Sequence, residues 1–134
     1  MPANASLYLP YPDVDLRQVF PEATLLGERW EVTLGGERVA FHRMPSEELP
    51  RHLAGLSRWI DGLDDDAGRK AGARTALGHT KTALGMVASS EFEDNHALWE
   101  SLFKIAAAFD GYVFAYDSVL LPSGGVLLGA LRQQ

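Results

Sequence analysis

Four histidines and no cysteine set the chemistry open to this chain. Without a thiol there is no cysteine nucleophile and no thiolate metal site. No Gly-x-Gly-x-x-Gly turn, no phosphate loop and no Gly-x-Ser-x-Gly elbow occurs. The densest chemical grouping is Gly78-His79-Thr80-Lys81, where an imidazole, a hydroxyl and an ammonium meet at the mouth of an apolar strand. Such an end can hold a base or an anion contact. Tyr112 and Tyr116, on one side of a later strand, would then line the wall, so His79, Lys81, Tyr112 and Tyr116 are the candidate binding residues. A triad of Ser118, His79 and Asp117 is drawn only on paper, because adjacent Asp and Ser on a strand point to opposite faces. His52 and His96 are expected on helix surfaces, with no partner that makes a recognised metal pair, and His42 ends a hairpin strand in the phase opposite Phe41. The expectation is no catalytic set, no metal and no cofactor.

The frame that must hold these residues is one domain: 134 residues suffice for a single core and leave no room for two. The net charge of −6 is spread along the chain, and no basic stripe marks a nucleic-acid face. No apolar run approaches the ~20 residues that span a bilayer. Met1-Pro2-Ala3-Asn4 has no basic cluster before an apolar stretch, so no secretory leader is expected. With the lack of cysteine, this points to a cytoplasmic protein.

Along the chain, Leu7-Tyr8-Leu9 reads as an edge strand because Pro10 and Pro12 come directly after it, and Asp13 as the cap of a short helix to Phe20. Trp30, Val32 and Leu34 alternate with polar residues, as do Val39 and Phe41 after Gly35-Gly36, which predicts a hairpin over 29–43. Leu49, Leu53, Leu56, Ile60 and Leu63 form the stripe of an amphipathic helix capped by Ser46. Residues 64–74 lack periodicity and read as an exposed, mobile loop. Thr80 to Ala88 reads as a central strand covered on both faces, in which Gly85 marks the close approach of a backbone or a bulky side chain. The helix after Asp94 carries two apolar stripes, Leu98, Leu102, Ile105 and Phe109 beside Trp99, Phe103 and Ala106. Trp99 and Phe103 are the candidate interface residues for a partner protein or a second copy. Tyr112–Tyr116 reads as a strand, 119–128 as a hairpin, and the tail Arg132-Gln133-Gln134 as frayed. The predicted fold is α+β, with a mainly antiparallel sheet of five or six strands and two principal helices.

Met44-Pro45 before the leucine-striped helix, Gly78-His79-Thr80 opening a strand, and Asp110-Gly111 after a helix together resemble a class of small bacterial domains of unknown function, over about residues 40–130. The resemblance implies a bacterial origin and an α+β fold, and no activity. With no catalytic constellation, the residues favour a non-enzymatic binding or interaction domain that self-associates. The alternative is a small-molecule-binding domain or enzyme with its pocket near His79 and Lys81.

Overall fold

The computed structural model describes residues 3–130. It is α+β, with eight antiparallel strands in one sheet and three α-helices. The strands are β1 (Asn4–Leu9), β2 (Thr24–Leu26), β3 (Arg29–Leu34), β4 (Glu37–Arg43), β5 (Thr82–Val87), β6 (Tyr112–Ala115), β7 (Ser118–Leu120) and β8 (Val126–Gly129). The helices are α1 (Leu49–Asp61), α2 (Ala67–Gly78) and α3 (His96–Ala108). The sheet order is β2-β3-β4-β5-β1-β6-β7-β8.

The predicted 29–43 hairpin forms, with Gly35 and Gly36 at φ +57° and +82° in its turn, conformations that glycine alone adopts freely. The sheet is wider than the five or six strands expected. Thr24–Leu26 adds an edge strand whose three residues are all exposed, so no alternation marked it in the sequence. The first strand is not at an edge: β1 sits between β5 and β6, with Leu7 and Leu9 wholly buried. Pro10 and Pro12 lie beyond its last residue and remove no ladder bond. The expected helix after Asp13 contracts to one 3-10 turn, Leu16–Gln18, capped by Asp15.

The helix that the sequence did not predict, α2, spans most of the expected 64–74 loop. Asp66 caps it, accepting from the Arg69 amide at 2.9 Å, while the Lys70 ammonium donates to the carbonyls of Asp61 and Leu63. The frayed tail expected at 132–134 lies outside the described residues. No helix among the described residues is long and apolar enough to cross a membrane.

Two apolar layers flank the sheet. On one face, Leu98, Leu102, Ile105 and Ala106 of α3 pack against Leu7, Val32, Phe41, Leu84 and Val113. On the other, Leu56 and Ile60 of α1 with Ala73 and Leu77 of α2 pack against Tyr8, Ala83, Val119 and Leu128. This second layer covers β1 and the strands β6 to β8. It leaves the same face of β3, β4 and the second half of β5 open: Arg29, Arg38, His42 and Val87 are exposed there. β5 is thus covered on both faces, as expected, only at its start, where Ala83 is buried under the α1–α2 layer; beyond it one face is open, and Val87 is 57% exposed.

Candidate functional site

The boundary between the covered and open parts of that face holds a cleft of about 300 Å³, lined among others by Ser6, Tyr8, His42, Met44, His52 and Gly85. Strand register builds its floor. Gly85 on β5 lies between His42 of β4 and Ser6 of β1, and two residues along, on the same face, Ala83 lies beside Tyr8. Ser6, Ala83 and Gly85 are small and share one face of the pleat. The wall comes from the chain that leaves β4, where Met44 and Pro45 lead into α1, and from His52 one turn into that helix. Most of the lining is carbon.

The polar edge of the cleft is a pair of which Tyr8 is buried and His52 half-buried. The Tyr8 hydroxyl lies 2.7 Å from His52 Nε2, and the two rings stack with centroids 5.6 Å apart. Burial pushes the Tyr8 phenol up to about 12, with the Ser6 hydroxyl pulling the other way. The phenol therefore stays protonated at neutral pH and can donate to His52 Nε2.

Gly85 is the unexpected residue of the floor. Its φ is not positive, and a Cβ built on it would meet no atom within 4 Å. The expectation that another backbone or bulky side chain approaches it closely is therefore not met. Neither conformation nor packing within the chain requires a glycine there. In mid-strand it destabilises by roughly 0.5–1 kcal/mol relative to a residue with a side chain. What it leaves is open volume at the centre of the cleft.

Next to the cleft, further across the open face, is a charged recess of about 250 Å³ that also includes His42. Arg29 and Arg38 each donate through Nε to Glu31, at 2.8 and 3.1 Å, and these two bonds hold the Glu31 carboxyl below its usual range. A larger recess, about 420 Å³, lies on the α3 face beside Trp30, and its cations serve the fold. Arg17 is bonded to Asp15 and stacks over Trp30 at 5.5 Å, and Arg43 donates to the Pro12 carbonyl at 3.0 Å. With Thr82 Oγ1 donating to the Tyr11 carbonyl at 2.6 Å, these contacts tie down the segment after β1.

The residues singled out from the sequence are not gathered in one place. His79 is the exposed C-cap of α2, and Lys81 is exposed while its amide donates to the Leu9 carbonyl. Neither lines the cleft or the two recesses. Tyr112 is half-buried beside Tyr8, on the α1–α2 face. Tyr116 leaves the strand in a turn at φ +52° and swings to the α3 side, where it touches Phe92 and Trp99 and donates to Glu93 at 3.1 Å. Trp99 and Phe103 are half-buried and in edge contact with each other, 5.0 Å between centroids, and Trp99 also meets Phe92.

His52, expected on the surface, faces the cleft instead, and His96 does have a carboxylate neighbour, with Nε2 3.4 Å from Glu100 Oε1 and both side chains exposed. No group of three or more metal-ligating side chains occurs among the described residues. One signal could have found the pair: Tyr8 is the single polar-tipped residue in the run Leu7-Tyr8-Leu9, so once that run is buried its hydroxyl needs a partner. Comparison of the chain with family models, with curated proteins and with solved structures finds no match.

Proposed function

We propose that this chain is a non-enzymatic binding domain whose ligand is a small, flat, largely apolar molecule seated over Gly85. The observation that carries the reading is the strand-centre glycine beneath a void, in a cleft walled by carbon and edged by the Tyr8–His52 pair. Small pockets that recognise organic ligands share this plan, with a mostly apolar wall and a few fixed polar groups. The triad drawn on paper offers no covalent alternative. Ser118 is buried with its hydroxyl on the Tyr116 carbonyl, while His79 is exposed at the end of α2.

Self-association along α3 is the weaker reading, because the rings of Trp99 and Phe103 are already packed on one another and on Phe92. A protein partner on the open half of the sheet is compatible with the cleft, and a substitution at Gly85 separates the two by the size of ligand that responds.

Gly85→Val tests the proposal. A β-branched side chain suits a strand and fills the void, so folding stability should rise by about 0.5–1 kcal/mol in urea titration. The same variant should lose the saturation-transfer NMR signals of aromatic fragments that bind the wild type. Fragment binding that survives Gly85→Val intact places the ligand elsewhere and ends this reading.

A further inference from the structure

Resting on that reading, we propose that the ligand is a planar organic anion: a free aromatic acid whose ring lies over Gly85 and whose acid group reaches Arg29 and His42. The cleft and the charged recess meet at His42, which lines both. In the sheet the order across the strands is Arg29, His42, Gly85, Ser6, each directly paired with the next. At about 4.8 Å per strand, Arg29 stands roughly 10 Å from Gly85 along this row. That span matches one fused ring system with a carboxylate at its end.

The charges of the recess are unequal. Two guanidinium groups share one carboxylate, and His42 adds a further nitrogen pair. Each arginine meets Glu31 through Nε alone, and Arg38 also donates from Nη1 to the Thr33 hydroxyl at 3.3 Å. The terminal nitrogens of Arg29 have no protein partner among the hydrogen bonds of the described residues. An excess of positive charge here runs against the net charge of −6 of the whole chain. An acid group would meet charge-assisted donors on one side while its ring meets carbon on the other.

The test uses matched probes on the whole protein: naphthoate, and the uncharged naphthamide with the same ring. Calorimetric titration at low salt should give naphthoate about tenfold tighter binding than the amide. The preference should shrink as salt is added. Arg29→Gln with Arg38→Gln, both at exposed positions, should remove most of the preference for naphthoate and weaken the amide much less than the acid. Gly85→Leu should abolish both. Equal affinities in the wild type, or a preference undiminished by loss of both arginines, overturns the anion and leaves the cleft reading standing. Two probes that fail to bind, or that bind Gly85→Leu as well as the wild type, overturn the cleft reading and the anion with it.

Discussion

The Tyr8–His52 pair shows what single residues decide here. Tyr8 is 3% exposed, and its hydroxyl is satisfied by a histidine that comes from a helix far along the chain. Removing that hydroxyl with Tyr8→Phe keeps the ring packing and leaves His52 Nε2 without its partner. The expected loss is about 1 kcal/mol in urea titration. The pH dependence has a definite sign. The folded-state value is raised from 10.0 to about 12, so its contribution is fully present below pH 10 and is lost as pH rises from 10 towards 12. A shift of that size corresponds to a loss of roughly 2–3 kcal/mol at most. Between a pH below 10 and one near 12, Tyr8→Phe should lose less stability than the wild type, because Tyr116, also raised by burial, still titrates in both. Equal alkaline losses in both proteins would assign the effect to other groups. Periodicity marks neither member of the pair as a site residue; the one signal is the phenol of Tyr8, which needs a partner once its strand is buried. A tyrosine between two leucines reads as core, and a histidine beside a helix stripe reads as surface. Only the docking of α1 onto β1 joins them.

Elements differed in how far their sequences announced them. The hairpin of β3 and β4 was written in strict alternation and two glycines. The second helix was not, because only Ala73 and Leu77 are buried along α2 and its glycines dilute any stripe. Its order comes from the Asp66 cap and from Lys70 reaching back to the end of α1, contacts invisible to periodicity. A similar clasp holds α3 to the hairpin. Asn95 Nδ2 donates to the Leu34 carbonyl at 2.9 Å and to Glu37 Oε1 at 3.3 Å, and Glu37 also accepts from the Ser89 and Ser90 amides. The Ser90 hydroxyl, the Ser89 and Ser90 amides and Asn95 together hold the Glu37 carboxyl down to about 2. A depressed carboxyl stabilises the fold above its ordinary value of 4.5 and stops doing so as pH falls from 4.5 towards 2. Glu37→Gln should therefore be less stable at neutral pH and should show a flatter acid limb than the wild type. Thermal melts across that range test this, and an unchanged acid limb would refute the clasp. The Gly35 turn belongs to the same contact: a Cβ there would run into the Asn95 side chain, so Gly35→Ala should destabilise through this clash as well as through its backbone angle.

At the scale of the whole molecule, the first strand of the chain is the seam of the sheet. β1 joins β2 to β5 on one side with β6 to β8 on the other, and among the described residues no other strand pairs across that boundary. Its prolines suggested an edge, because proline marks where a strand ends along the chain, while the place of the strand in the sheet depends on distant partners. Leu7 stands opposite Leu84 and Val113, each more than half the chain away. Helix α3 crosses the same seam, contacting β3, β1 and β6. The cleft forms where the α1–α2 layer ends, close beside the seam, so Tyr8 and Ser6 are held in place only when both halves are assembled. Leu7→Ala removes wholly buried side-chain volume at this junction and should cost about 2–5 kcal/mol. Against a total of about 5–15 kcal/mol for a domain, that is a large share. If the seam couples the halves, they should unfold together. Trp30 on β3 and Trp59, packed on Phe114 of β6 at 5.1 Å, report on the two sides. In variants that retain one of these tryptophans at a time, both fluorescence transitions should share a single urea midpoint. Leu7→Ala should lower both midpoints by the same amount. Two separate midpoints in the wild-type background would show that each half holds its own core, and that β1 is a bridge between modules instead of the centre of one.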